Sequence, residues 1–200
     1  MLESITYLSN IDEKLKAVLD TFGMPAFPRR EQGFAAMCHI ILEQQVSISS
    51  AKATYRKIED FMGKPTPASV LETANEDFRA MGVSRQKTAY LKDLAEKVAS
   101  GYLDFSTFPS KQPDQIASEL LAVKGVGNWS VEVYLMFCMQ HQDILPLGDI
   151  AIRHAIREIY GIVDLDGMAE LGKQWAPHRT MASFILWHHY LTTRNRKDYL

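Results

Sequence analysis

The sequence predicts an all-helical protein, and hydrophobic periodicity is the first observation behind that prediction. Apolar residues recur at the i, i+3, i+4, i+7 spacing of one helical face in 34–41 and again in 91–98. No segment shows the alternation of apolar and polar residues that is typical of a strand. The chain has 200 residues, of which 46% are hydrophobic and 23% are charged. That length and composition are sufficient for one sizeable core or two small lobes.

Turn-forming residues divide the helical pattern into about eight to ten short helices. Clusters of Gly, Pro and small polar residues lie at 23–28, 63–67, 101–113, 125–127, 146–148 and 161–167. The longest of these segments, 101–113, is expected to connect two helical lobes. Because no internal repeat or low-complexity linker is present, residues 1–200 are predicted to form a single functional unit.

Charge and cysteine content exclude several classes of protein. The chain has 22 Lys and Arg against 24 Asp and Glu, so its net charge of -2 argues against polybasic, histone-like nucleic-acid binding but not against a locally basic face. Two cysteines, Cys38 and Cys138, cannot form a four-thiolate zinc or iron–sulfur site within one chain, and we expect buried, reduced thiols. No apolar segment approaches the roughly 20 residues of a membrane-spanning helix. A signal-peptide pattern is also absent, so we expect an intracellular protein that does not associate with membranes.

The most informative segment, 120–135, reads LLAVKGVGNWSVEVYL. Its Gly-x-Gly turn permits a positive φ and a close approach of the backbone to a ligand. The amides of Gly127 and of the following first helical turn could then bind a phosphate without a basic side chain. From the Gly-x-Gly turn alone, a plain helix–helix connection with a glycine cap is the favoured interpretation.

Several ordered motifs resemble those of the helix-hairpin-helix DNA glycosylase superfamily. They are the hairpin at about 115–140, the PLGD loop at 146–149, ILEQQVS at 41–47, GVSRQK at 82–87, and WAPHR at 175–179 with Trp187. The resemblance covers about 30–190. It implies a two-lobed, all-helical fold with the active site in the cleft between the lobes, and a catalytic loop and helix at about 146–161.

Trp129 places the resemblance in the alkylated-base branch, the AlkA-like 3-methyladenine DNA glycosylase II group. The endonuclease-III-like branch has a lysine at this position, which attacks the sugar as a Schiff-base nucleophile, and an indole cannot do so. The iron–sulfur cysteines of many members of that branch are also missing, and no organic cofactor is expected. The chain is similar to compact members that lack the N-terminal β-rich domain of the AlkA type.

The resemblance therefore implies a monofunctional base excision repair enzyme. Such an enzyme flips alkylated purines of the 3-methyladenine and 7-methylguanine type out of damaged double-stranded DNA and releases them by hydrolysis. We expect a monomer that is cytoplasmic or nucleoid-associated if the source is bacterial. Two alternatives stay open: a bifunctional glycosylase/lyase of the endonuclease-III-like branch, and a non-catalytic hairpin module that binds DNA.

Asp149 is the predicted catalytic residue. Cleavage of an N-glycosidic bond develops positive charge on the sugar, and a nearby carboxylate can stabilise that charge or orient water. An Asp immediately before an apolar helical segment is also a good helix N-cap, which is the structural alternative. The two roles are compatible, because amides at a helix N-terminus keep a carboxylate ionised.

Three side chains are predicted to form the lesion pocket: Trp129, Trp187 and Glu132. An electron-deficient alkylated purine stacks well on an electron-rich aromatic face. Glu132 lies one helical turn after Asn128 and could protonate the departing ring of a neutral base, although a glutamate on an amphipathic helix is most often a solvated residue. Core packing is the alternative for either tryptophan.

DNA binding is predicted to be distributed over the backbone of the hairpin and several polar or basic side chains. The residues are Gln44, Gln45, Ser47, Arg85, Lys124, Gly125, Val126, Gly127, Ser130, Arg153 and Arg179. Gln44 and Gln45 lie where a wedge would fill the gap left by a flipped base, and an ordinary helix end is the equal alternative for this pair. The resemblance also implies a monovalent cation, Na⁺ or K⁺, bound by the backbone carbonyls of Leu121, Val123 and Val126.

Overall fold

The computed structural model describes residues 2–196, in which helices and connecting loops account for the whole backbone. Within that range there are twelve α-helices, one 3-10 helix and no strand, so the predicted all-helical fold is confirmed. The α-helices are α1 (Leu2–Ile11), α2 (Glu13–Phe22), α3 (Phe34–Glu43), α4 (Ile48–Met62), α5 (Pro67–Glu72), α6 (Asn75–Ala80), α7 (Arg85–Ala99), α8 (Pro113–Leu121), α9 (Asn128–Phe137), α10 (Ile150–Tyr160), α11 (Leu165–Lys173) and α12 (Arg179–Thr193).

The structure contains more helices than the eight to ten predicted from turn-forming residues. Asp12 alone separates α1 from α2, because its carboxylate accepts the backbone N–H groups of Lys14 and Leu15, each at 3.0 Å, and so begins a new helix. The helices α5 and α6 have six residues each, which is too short for a helical period to show in the sequence.

The chain divides into two compact units, which together contain every described element. The first comprises the described parts of Met1–Arg29 and Gln140–Leu200, and the second is Arg30–Met139. The segment 101–113, which was expected to connect two lobes, lies inside the second unit. Its 3-10 helix, Phe105–Ser110, carries the fully buried Phe108. Because that ring packs edge-on against Tyr134 at 5.9 Å between centroids, the segment belongs to one core and the predicted connection was wrong.

The core of the first unit contains a buried carboxylate. Asp12 is 7% exposed, and its second oxygen, Oδ2, accepts hydrogen bonds from Tyr160 Oη and Trp175 Nε1, each at 2.8 Å. These contacts join the start of α2 to the end of α10 and to the segment after α11. Every polar group of the cluster is therefore satisfied in spite of its burial.

The core of the second unit surrounds α3, whose end is fixed by an ion pair. Arg30 binds both carboxylate oxygens of Glu43 at 2.8 Å, and the backbone N–H of Arg30 donates to Phe137 O at 3.0 Å. The two cysteines are buried and unpaired with each other, as the sequence predicted. Burial raises the pKa of Cys138 to about 12, so this thiol is protonated at neutral pH.

None of the described helices combines the length and the apolar character that a membrane crossing would require.

Candidate functional site

The predicted hairpin is present as α8 and α9 in the second unit. Two backbone hydrogen bonds shape its loop: Val123 N donates to Leu120 O at 3.0 Å, and Val126 N donates to Val123 O at 3.1 Å. Gly127 is the N-cap of α9 and is extended, with φ of -112° and ψ of 179°. Because a glycine cap supplies no side-chain acceptor, this helix N-terminus lacks the carboxylate or hydroxyl found at most others in the chain.

Gly125 is required by both backbone conformation and packing. Its φ is +77°, in the region that favours glycine. A Cβ built on Gly125 would lie between 2.2 and 2.4 Å from three atoms of the Tyr90 ring, which belongs to α7. The ring of Tyr90 therefore lies directly against the hairpin backbone.

The segment that joins α3 to α4 contains the predicted wedge residues, and the structure separates their roles. The side-chain amide of Gln44 donates to Gly125 O at 3.0 Å and to the hydroxyl of Ser130 at 2.9 Å, so Gln44 contacts the hairpin of its own unit. Gln45 has a positive φ of 55° and is exposed. Ser47 is also exposed and caps α4 by accepting the Ser50 amide at 3.2 Å. Of the pair, Gln45 has the geometry of a projecting residue.

A further contact with the hairpin comes from Asp93 on α7, which is not among the predicted site residues. The backbone N–H of Lys124 donates to Asp93 Oδ2 at 2.8 Å, and Lys97 binds both oxygens of the same carboxylate at 3.0 Å. No sequence pattern points to Tyr90 or Asp93, because polar residues on an amphipathic helix usually face solvent. Lys124 itself extends into solvent from the loop.

The other basic candidates lie in different environments. Arg85 is exposed at the first residue of α7, and Arg153 is half-buried on α10 of the first unit. Arg179, also in the first unit, binds Asp143 through Nε at 2.6 Å and Nη2 at 2.8 Å. The hydrogen bond from Arg179 lowers the pKa of the Asp143 carboxyl group below its ordinary value, although burial acts in the opposite direction. Asp143, which resembles an ordinary polar loop residue in the sequence, therefore holds Arg179 at the start of α12.

The predicted catalytic residue, Asp149, is the N-cap of α10 in the first unit. Its Oδ1 accepts the backbone N–H of Ala151 at 2.8 Å and of Ile152 at 3.2 Å. A turn fixes the preceding loop, because Asp149 N donates to Pro146 O at 2.9 Å. The carboxylate is half-buried, and the next side chain, Ile150, is 62% exposed. Asp149 is therefore observed as a helix N-cap, and this position is compatible with a role in catalysis.

The three predicted pocket residues are distributed over both units. In the second unit, Trp129 and Glu132 are half-buried in the first two turns of α9. In the first unit, Trp187 is only 9% exposed on α12, and its ring lies 5.8 Å from that of Phe184 between centroids. Trp187 thus packs at least partly in the core of its own unit.

The cation that the family resemblance implies would be bound by backbone carbonyl oxygens. In the described range, His, Cys, Asp and Glu form no group of three or more that could hold a metal ion. The predicted ligands Leu121, Val123 and Val126 are all in or next to the hairpin loop. Val123 O already accepts the Val126 amide, and a carbonyl oxygen has a second lone pair. This set of hard oxygen donors fits Na⁺ or K⁺.

Comparison with known proteins agrees with this architecture. The chain is 30% identical to the DNA-3-methyladenine glycosidase of Bacillus halodurans, with a TM-score of 0.80 over 97% of this chain and 90% of that chain. It is 25% identical to the 3-methyladenine DNA glycosylase of Schizosaccharomyces pombe, solved in complex with abasic DNA, with a TM-score of 0.86 over 96% and 97% of the two chains.

A relative in Bacillus subtilis carries the name putative DNA-3-methyladenine glycosylase YfjP and is 28% identical over 165 residues, which is 77% of this chain. The chain spans 58% of the length of that relative. Residues 38–177 match the family model described as HhH-GPD superfamily base excision DNA repair protein. The chain therefore belongs to the HhH-GPD superfamily of base excision DNA repair proteins.

Proposed function

We propose that this protein is a DNA glycosylase that releases alkylated purines from double-stranded DNA. The observation that carries the proposal is the Asp149 carboxylate, which two backbone amides orient at the start of α10 in a chain of this superfamily. The similarity to proteins named 3-methyladenine DNA glycosylases supports alkylated purines as the substrate class. The S. pombe relative, solved with abasic DNA, supports DNA as the binding partner.

Asp149 would act on the sugar of the damaged nucleotide. The bond between sugar C1′ and the purine nitrogen breaks, and its electron pair leaves with the base. The sugar acquires oxocarbenium character, which an ionised carboxylate stabilises. A water oxygen then bonds to C1′ and loses a proton to the surrounding water, which leaves a free neutral base and an abasic site. A cationic alkylpurine already carries the charge that protonation would supply, so no strong general acid is needed.

Base selection would depend on stacking. A flipped base costs a few kcal/mol of lost pairing and stacking, and less where the pair is damaged. In the second unit, we assign Trp129 to stacking on the electron-deficient ring and Glu132 to its polar edge. Trp187, in the first unit, stays a predicted stacking residue.

DNA affinity would come largely from the backbone of the hairpin. The amides of Gly125 and Gly127 and the N-terminus of α9 would bind one phosphate. The carbonyls of Leu121, Val123 and Val126 would hold a monovalent cation, which would supply a positive charge that attracts the DNA backbone. Exposed side chains such as Arg85 and Lys124 would add a few phosphate contacts. A chain with a net charge of -2 can bind DNA in this way without a large basic surface.

We further propose that the enzyme is monofunctional. The family resemblance implies that Trp129 stands where glycosylase/lyases of the endonuclease-III-like branch have a lysine, and an indole cannot form a Schiff base with the sugar. Water is then the final nucleophile and the DNA strand stays intact. The rival assignments are a bifunctional glycosylase/lyase and a non-catalytic hairpin module.

Release of bases from alkylated DNA tests the proposal directly. The protein is incubated with methylated duplex DNA, and the released bases are separated by chromatography. We expect 3-methyladenine or 7-methylguanine from the wild type and a loss of at least about 100-fold in the rate with Asp149→Asn, since the transition-state charge loses its stabilising carboxylate. Asparagine caps helices about as well as aspartate, so the variant should fold.

Asp164→Asn is a matched control for the loss of a capping carboxylate. Asp164 is the exposed N-cap of α11, where its Oδ1 accepts the Gly167 amide at 2.7 Å, and the proposal gives it no part in the reaction. Full activity of Asp149→Asn would refute the catalytic assignment. A covalent DNA adduct trapped by borohydride would support the lyase, and DNA binding without release of any base would support the non-catalytic module.

A further inference from the structure

The hairpin loop is held by two side chains of its own unit that the proposed chemistry does not use. Asp93 binds the Lys124 amide from α7, and Gln44 binds the Gly125 carbonyl from the end of α3. We propose that Asp93 and Gln44 are positioning residues that fix alternate peptide planes of the loop, so that the amides of Gly125 and Gly127 face outward toward a phosphate. This inference rests on the proposed phosphate-binding role of the hairpin.

The argument follows from the planarity of the peptide group. In a trans peptide the N–H and the C=O point in opposite directions, so a bond to one of them orients the other. Asp93 Oδ2 accepts the Lys124 N–H at 2.8 Å and thereby turns the Val123 carbonyl into the loop. There Val123 O accepts the Val126 N–H at 3.1 Å. The peptide between Val123 and Lys124 is therefore held at both ends.

The peptide between Gly125 and Val126 is held in the same manner. Its carbonyl accepts Gln44 Nε2 at 3.0 Å, and its N–H is the donor to Val123 O. Gln44 Nε2 also donates to the hydroxyl of Ser130 at 2.9 Å, and Ser130 is only 2% exposed. The side chain of Gln44 thus has a fixed position with respect to the first turn of α9.

The intervening peptides supply the amides of Gly125 and Gly127. Among the described residues, neither amide has a hydrogen-bond acceptor within the protein. Both glycines are exposed, so an external anion can accept their amides once Asp93, Gln44 and Val123 O fix the peptides on either side. The Tyr90 ring lies against the loop at Gly125, since it fills the space that a Cβ there would need.

Asp93 is well suited to this task. Lys97, one helical turn later on α7, binds both of its oxygens at 3.0 Å and so restricts its rotation. Burial alone would raise the pKa of Asp93, but the hydrogen bond from Lys124 N and the charge of Lys97 lower it below its ordinary value. The carboxylate therefore stays ionised, and a strong acceptor, throughout the neutral range.

The test measures the salt dependence of DNA binding. The probe is a duplex with a tetrahydrofuran abasic site, and the variants are Gln44→Met, which removes the donors at similar size, and Asp93→Leu, which removes the acceptor. Each phosphate contact contributes about 0.9 to the slope of log K against log salt. We expect each variant to lower the magnitude of the slope by about one and to raise Kd about tenfold at low salt.

Asp93→Asn is the conservative variant, since its side-chain oxygen can still accept the Lys124 amide, and we expect it to retain the wild-type slope. A purely structural role would instead lower the melting temperature of the variants and leave the slope unchanged, which would overturn the inference.

Gly125→Ala is the reference variant, because it displaces the loop directly. If Gly125→Ala lowers the slope and Gln44→Met and Asp93→Leu do not, the inference about positioning fails alone. If Gly125→Ala leaves the slope unchanged, the hairpin does not bind a phosphate, and its phosphate-binding role in the proposed function is refuted.

Discussion

At the scale of single residues, two aspartates show how one local pattern serves different purposes. Asp12 and Asp149 each precede a helix and accept two backbone amides through Oδ1. Asp12 in addition binds Tyr160 and Trp175 through Oδ2 and is 7% exposed, whereas Asp149 is half-buried beside an exposed Ile150. The same N-cap pattern thus occurs once in a buried hydrogen-bonded cluster and once beside an exposed side chain.

We expect Asp12→Ala to lower the free energy of unfolding by about 3 to 5 kcal/mol, measured by urea denaturation. The substitution removes a helix cap and leaves the buried donors Tyr160 Oη and Trp175 Nε1 without an acceptor, and each loss costs about 1 to 2 kcal/mol. The matched variant Asp164→Ala removes only an exposed cap and should cost about 1 kcal/mol. Equal costs for the two variants would contradict a structural role for the buried cluster.

At the scale of helices, the contribution of an ion pair to the free energy of unfolding depends on its burial. Arg30 and Glu43 join the start of the second unit to the end of α3, with side chains that are 27% and 8% exposed. Lys173 and Glu170 pair along α11, with side chains that are 71% and 72% exposed. Solvent screens the second pair far more strongly than the first.

Glu43→Ala should lower the free energy of unfolding by about 2 kcal/mol, less than for a fully buried pair because Arg30 keeps contact with solvent. Glu170→Ala should change it by less than about 0.5 kcal/mol. Chemical denaturation of both variants in low and high salt measures the difference. A salt-sensitive loss of similar size in both would show that the Arg30–Glu43 pair behaves as an ordinary surface contact.

At the scale of the whole molecule, one buried and two half-buried tyrosines make stability depend on pH in the alkaline range. Burial, together with the charge of Glu59, raises the pKa of Tyr55 to about 12. Burial also raises the pKa of Tyr134, and burial with the adjacent Asp12 carboxylate raises that of Tyr160. In each case the folded protein retains a proton that the unfolded chain releases near pH 10.

The free energy of unfolding should therefore fall as the pH rises above about 10, by up to about 1.4 kcal/mol per pH unit for each such tyrosine. The sign follows because a raised pKa in the folded state contributes stability below the ordinary pKa and loses it as the pH increases. Urea denaturation between neutral and alkaline pH measures this slope. Tyr160→Phe should make the slope of the free energy of unfolding against pH shallower. Tyr102 is 63% exposed, so Tyr102→Phe should leave that slope unchanged. A slope in Tyr160→Phe identical to that of the wild type would contradict the contribution of Tyr160 to the alkaline loss of stability.

The sequence by itself determined the all-helical class, the hairpin and the candidate Asp149, because these depend on local features. Helical periodicity, a Gly-x-Gly turn and an Asp before an apolar helix are all visible within about ten residues. Short helices such as α5 were missed, since six residues do not complete two turns of the pattern.

Only the tertiary structure decided which residues meet. It brought Asp93 and Gln44 to the hairpin loop, paired Asp143 with Arg179, and placed the segment 101–113 inside the second unit through Phe108. These contacts join residues far apart in the chain, where a polar side chain on an amphipathic helix has the same sequence signature whether it faces solvent or a neighbouring loop. The physical reason is that helix periodicity specifies a buried face, while the partner of each polar group depends on how the helices pack.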